Sequence, residues 1–213
     1  MTMQSESRAR EQIVMHGESL HARGFVPGSS GNISVRIDDG ILVTPTNSCL
    51  GRLDPAKISK VDSEGRHVSG DAPSKEAFLH ALMYGKRAGA AAVVHLHSTH
   101  AVAVSCCSDL DPDQPIPPLT AYYAMKIGRL KLLPYYPPGD EELARAVEAV
   151  ADKHRAILLA NHGPVVAGTD IDAAVYGIEE LEETAKLFLM LDRRQVRVLS
   201  SEQIADLEAR FPS

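Results

Sequence analysis

The sequence predicts an α/β chain of the α+β type, with helices covering a mostly antiparallel central sheet. Three observations predict it. Two hairpin patterns come early, "ISVRI" to "ILVT" across "DDG" and "ISKVD" to "RHVSG" across "SEG". Short apolar runs then stand beside amphipathic stretches of helical period. These pieces do not fall into the regular strand and helix alternation of a parallel sheet.

Residues 5 to 23 space Ile13, Val14, Leu20 and Ala22 for a first helix, which stops at Gly24, a residue suited to the position after a helix end. The loop "GFVPGSSGN" leads to the two hairpins. "PSKEAFLHALMYGKRAG" predicts a helix over about 75 to 87, with Ser74 as N-cap and Ala77, Leu79, Leu82 and Met83 on the buried face. "AAAVVHLH" reads as a buried strand and "THAVAVSCC" as another helix. The proline-rich "DPDQPIPPLT" is loop, because proline neither donates to a ladder nor continues a helix. "LKLLPYY" predicts a strand, "DEELARAVEAVADKH" an amphipathic helix, and "AILLANHGPVVAGT" two strands around a tight turn at His162–Gly163. A long helix over 172 to 192 and a short one over 201 to 210 close the chain.

With 213 residues, 44% hydrophobic and 23% charged, and neither repeat nor linker, residues 1–213 are expected to form a single domain. The net charge of -6 argues against a nucleic-acid partner, since a grip on phosphate backbone requires clustered Lys and Arg. No apolar run nears the roughly 20 residues that span a bilayer, and the polar start lacks a signal peptide's apolar region. No membrane association and a cytoplasmic location are therefore expected. Cys49, Cys106 and Cys107 suit neither a disulfide framework nor a CxxC metal site and are read as reduced thiols.

Three histidines crowd the end of the run at 90 to 94. On a strand, positions i and i+2 share a face, so His95 and His97 project together while Leu96 faces the opposite layer. His162 follows a second apolar strand and would supply a third imidazole, the number usual in a catalytic zinc site. An isolated His-x-His is more often a pair of core histidines than a metal site; the two matched contexts favour metal. His100 lies on the following helix in a supporting role.

Glu76 stands in the first turn of its helix, where a carboxylate is commonly a dipole or capping partner. Its neighbours Ser74 and Lys75 and the free N–H groups of that turn make the same spot an anion site. "PGSSGNIS" is a second anion candidate, Gly28 and Gly31 permitting close backbone approach, and "TPTN" at 44 to 47 adds donors. "EELEETAKLF" pairs Glu182 with Lys186 at i,i+4 and is expected to be a solvated helix face.

Gly31–Asn32, "TPTN", "SKE", "HLH" and "NHG", in this order, resemble the class II aldolases of the fuculose-phosphate and ribulose-phosphate type. The resemblance covers nearly the whole chain. It implies a three-layer class II aldolase-like fold with a nine-stranded, mostly antiparallel sheet, assembled as a cyclic tetramer with sites at subunit borders. It implies Zn2+, or another divalent ion such as Mn2+ or Co2+, held by His95, His97 and His162, with Glu76 as acid/base and additional ligand. Gly31, Asn32, Thr46, Asn47, Ser74 and Lys75 match the substrate-phosphate positions, although Lys75 departs from the family's usual serine. Tyr122, near the position of the aldolases' proton donor, is a further catalytic candidate, and Lys126 a further substrate-binding one.

"SKE" with "YYAMKIG" at 122 to 128 is similar to a branch that decarboxylates 3-oxo-tetronate 4-phosphates to dihydroxyacetone phosphate and carbon dioxide. The chemistry suits the residues. A cation bound by neutral imidazoles stabilises the enediolate left by carbon dioxide, Glu76 protonates C2, and Lys75 or Lys126 offsets the substrate carboxylate. A phosphorylated sugar acid is then the expected small-molecule partner. The rivals are a sugar-phosphate aldolase, a pentulose-phosphate epimerase, a dehydratase of the superfamily, and an adducin-like interaction module without catalysis.

Overall fold

A computed structural model of the protein describes residues 5–62 and 65–211. Helix α1 (Glu6–Ala22) precedes the antiparallel strands β1 (Asn32–Ile37), β2 (Gly40–Val43), β3 (Ser59–Val61) and β4 (His67–Ser69). Ser63 and Glu64 of the second expected turn lie outside the described residues. Helix α2 (Ala77–Lys86), strand β5 (Ala92–His95) and helix α3 (Thr99–Ser105) follow. Then come α4 (Ala121–Lys126), β6 (Leu130–Leu133), α5 (Glu141–Glu148), β7 (Ala156–Leu159), β8 (Gly163–Gly168), α6 (Ile171–Met190) and α7 (Ser201–Arg210).

Among the described residues the sheet has eight strands in the order β4-β3-β2-β1-β5-β8-β7-β6, one fewer than the resemblance implies. The sheet is mixed, a correction to the mostly antiparallel expectation: β6 runs parallel to β7. The reason is α5, which carries the chain back across the sheet and so lets two consecutive strands point the same way. The central pairs β1 with β5 and β5 with β8 are antiparallel.

Strand alternation divides the core in two. Ile33, Val35, Ala92, Val94, Leu96, Ala156 and Leu158 pack with α1, α3, α4 and α6 on one face. Val93, Ile157, Leu159, Val165 and Ala167 meet α2 and α5 on the other. The sheet is thus the middle of three layers.

Four local expectations change. Helix α2 starts at Ala77, with Glu76 rather than Ser74 in the N-cap position. Strand β5 ends at His95, so His97 lies just beyond it. The segment "AYYAMK", to which no element was assigned, forms α4, capped by Thr120, whose side chain accepts from Tyr123 N. Glu182 is 6% exposed, not solvated: its carboxylate accepts from His100 N (2.9 Å) and Ala101 N (2.8 Å) at the start of α3 and contacts His100 Nδ1 (2.8 Å). No described helix is long and apolar enough to cross a membrane.

Candidate metal centre

The end of β5, the start of β8 and the N-terminus of α2 meet at one point. His95 pairs with Val165 across β5 and β8 and faces α2. Its ring is fixed by Pro164, whose carbonyl lies 2.8 Å from Nδ1. A carbonyl only accepts, so Nδ1 carries the proton and Nε2 turns a bare lone pair inward. His97 follows two residues past the strand's last residue. His162 sits in the turn between β7 and β8, held by His162 N to Leu159 O and by Asn161 N to Ser105 O. That turn closes tightly: Gly163 has φ +155°, and a Cβ there would stand 2.4 Å from Leu96 O.

Two aspects of the geometry point to a metal. The three imidazole centroids lie 4.8–5.0 Å apart with rings mutually edge-on. His95 Nε2 is 3.1 Å from His97 Nε2, His162 Nε2 is 3.0 Å from Glu76 Oε1, and His95 Nε2 is 3.5 Å from Glu76 Oε2. One ligand atom from each of the four residues falls within 4.8 Å of every other. A tetrahedral ion with bonds of about 2.1 Å has ligand edges of about 3.4 Å, so these residues can hold a divalent metal with little movement.

The electrostatics agree. Burial alone would raise Glu76, but the hydrogen bond with His162, the charges of His95 and His162 when protonated, and the Asn32 amide outweigh it. The carboxyl therefore stays well below the usual range, ionised and ready to ligate. Burial pushes His95 and His97 down, which keeps their lone pairs available at neutral pH.

The remaining candidates separate. The bridge Pro45–Pro73 and the bond from Ser74 N to Thr44 O (3.2 Å) bring Thr46 and Asn47 beside Ser74 and Lys75. Gly31, at φ +76°, lies against His95 O, where a Cβ would come within 3.0 Å. Lys75 is exposed next to Glu76. The side chain of Asn32, expected at the substrate-phosphate positions, is directed to Glu76 (2.8 Å) and His80. His80, whose spacing in the sequence suggests no ligation, is outside the metal group, but it stands four residues after Glu76 and reaches it through Asn32.

Tyr122 and Lys126 are not brought to this cluster. Lys126 Nζ sits 5.7 Å and 5.6 Å from the ring centroids of Tyr122 and Tyr176. It lines a cavity of about 540 Å³ with Lys86, Arg87, Gly89, Arg155 and Gly168. That cavity is at the opposite end of β5 and β8, roughly 17 Å away by strand rise. Among the described residues the set of possible metal-ligand atoms lies at the histidine end.

Residues 11–189 match the class II aldolase and adducin N-terminal domain. The chain belongs to the class II aldolase family. Its similarity to the 3-oxo-tetronate 4-phosphate decarboxylase of Pectobacterium atrosepticum is 46% identity over 207 residues, 97% of this chain and 95% of that one. The L-fuculose phosphate aldolase of Escherichia coli is 34% identical over 208 residues, 96% and 94% of the two chains. The crystal structure of YgbL from Klebsiella pneumoniae superposes with a TM-score of 0.93 at 42% identity, covering 96% and 99%. This class II aldolase domain retains the Glu and three His that a non-catalytic, adducin-like role would not require.

Proposed function

We propose that this chain is a cytoplasmic, metal-dependent carboxy-lyase that converts a 3-oxo-tetronate 4-phosphate into dihydroxyacetone phosphate and carbon dioxide, with residues 1–213 acting as one unit. The observation that carries the reading is the cluster of Glu76, His95, His97 and His162, whose ligand atoms lie within 4.8 Å of one another, in a chain 46% identical to a decarboxylase of that name. Zn2+ suits this nitrogen and carboxylate set, with Mn2+ or Co2+ as alternatives. Held by Glu76, His95, His97 and His162, the cation would supply a Lewis acid that stabilises negative charge developing on the substrate.

The protein's own residues do the rest. Gly31, Thr46, Asn47 and Ser74 bind the phosphate by backbone and side-chain donors and so fix which carbon lies over Glu76. Lys75, one residue before Glu76, offsets the charge of the C1 carboxylate. The C1–C2 bond breaks, carbon dioxide leaves, and its electron pair forms the enediolate across C2 and C3. Glu76 then delivers to C2 a proton drawn from water, and the C3 ketone is restored. Tyr122 and Lys126 enter this scheme only from a neighbouring copy in a tetramer with sites at subunit borders.

The test is to incubate the metal-loaded protein with 3-oxo-tetronate 4-phosphate and, separately, with fuculose 1-phosphate. Carbon dioxide from the first and no aldehyde from the second is expected; the reverse result would establish an aldolase instead. Lys75→Met is expected to lower kcat/KM for the keto-acid phosphate at least tenfold, and unchanged turnover would sink the charge-offset role.

A further inference from the structure

The side of α2 that carries Glu76 meshes with one face of β1. Glu76, His80 and Tyr84 follow at i, i+4 and i+8, about 6 Å apart along a helix axis. Asn32, Ser34 and Arg36 share a face of β1 at steps of about 6.7 Å. The two periods nearly coincide, so the rows interdigitate. Asn32 Nδ2 donates to Glu76 Oε2 (2.8 Å), Asn32 Oδ1 meets His80 Nε2, and His80 Nδ1 lies 2.7 Å from Ser34 Oγ. Ser34 Oγ is in turn 2.7 Å from Tyr84 OH, and Arg36 donates to Tyr84 O (2.6 Å) while its guanidinium stacks 4.8 Å from the Tyr84 ring centroid. His80 and Ser34 are fully buried, Asn32 and Tyr84 nearly so.

Donor rules leave this chain one direction. An ionised Glu76 only accepts, so Asn32 presents its NH2 to the carboxylate and its carbonyl to His80. That carbonyl only accepts, so His80 Nε2 carries the proton. The bare Nδ1 then accepts from Ser34, whose oxygen accepts from Tyr84. Every donor points toward Glu76. Burial pushes His80 down to about 4, in keeping with a neutral ring. Turning the Asn32 amide over would set its oxygen against the carboxylate and its NH2 against an N–H. Both contacts are repulsive, so the carboxylate sets the amide orientation and the His80 N–H anchors the amide oxygen in it.

We propose that His80 is a positioning residue: acting through Asn32, it holds an amide N–H on Glu76 Oε2 and so orients the carboxylate, with Oε1 toward His162. The kinetic side of this inference rests on the decarboxylase reading; the metal-binding side does not. The test is a double-mutant cycle of His80→Leu and Asn32→Ala with two readouts. These are kcat and KM for 3-oxo-tetronate 4-phosphate, and the Kd for Co2+ followed by its visible absorption.

Each single variant is expected to lower kcat roughly 10- to 100-fold, the usual effect of losing an outer partner of a metal ligand, and to weaken Co2+ about tenfold. KM stays within about threefold. The double variant is expected to be no worse than the poorer single one, because His80 acts through Asn32. His80→Gln, whose amide N–H still reaches Asn32, is expected to recover most of the rate. Losses that multiply in the double variant would show an independent structural role and overturn the inference. If His80→Leu does not fold, His80→Gln is set against His80→Asn, too short to reach Asn32, and equal rates in the two overturn it. A wild-type protein that binds Co2+ yet releases no carbon dioxide removes the decarboxylase reading, and the Co2+ cycle still decides on His80.

Discussion

Glu76→Gln keeps the size of the side chain at the start of α2 but removes its charge and its ability to carry a proton to C2. A positioned acid/base typically contributes 10²- to 10⁴-fold, so kcat for carbon dioxide release is expected to fall by about that factor. The same change removes an anionic ligand held close to His162 and His95 (3.0 and 3.5 Å), so Zn2+ affinity should fall with it in a chelator competition. Activity and metal affinity that both survive the substitution would remove Glu76 from the site. His95 differs from His97 in how it is held: Pro164 fixes its tautomer. That bond is visible only once β8 is laid beside β5.

At the scale of elements, two supports hold the histidines in place. Gly163 opens β8 with a left-handed φ, and any side chain there runs into the backbone between β5 and His97. Gly163→Ala is expected to cost about 2 kcal/mol or more in urea unfolding and to weaken metal binding, because relief of the clash moves both His162 and His97. Glu182 on α6 receives the backbone N–H groups of His100 and Ala101 in α3, three and four residues after His97. Glu182→Ala leaves those donors buried and unpaired, and a loss of roughly 2–3 kcal/mol is expected. A change below 0.5 kcal/mol would mean that water replaces the carboxylate there. The i,i+4 spacing of Glu182 and Lys186 suggested a surface pair, since helix periodicity alone does not say which face meets α3.

For the whole molecule, stability should depend on pH through its buried imidazoles. His80 titrates near 6.5 when unfolded and near 4 when folded. Between those values the unfolded chain binds a proton that the native chain refuses, so stability is full above pH 6.5 and falls as pH drops toward 4. The complete difference amounts to about 3 kcal/mol, and His95 adds to it in the same sense. Thermal unfolding in chelator is therefore expected to show Tm falling from pH 7 to pH 4.5, with a shallower fall in His80→Gln. A metal that binds only the folded chain adds about 4 kcal/mol at a thousandfold excess over its Kd, so Zn2+ should raise Tm at pH 7.5.

By itself the sequence determined the strand-and-helix inventory apart from α4, and it singled out the four residues of the candidate metal group. Apolar runs of strand length, helical spacing and glycine stops are local signals, and His95, His97, His162 and Glu76 each stand beside one. Only the tertiary structure decided that β6 pairs parallel to β7, that α4 forms, and that Lys126 lies at the far end of β5 from the histidines. It also decided that Asn32 serves Glu76, and that His80 and Glu182 are buried supports. Those facts depend on contacts between residues distant in the chain, which side-chain spacing along one element does not encode. The matched steps of α2 and β1 are written in the sequence, but only the packing of the helix on the strand joins them.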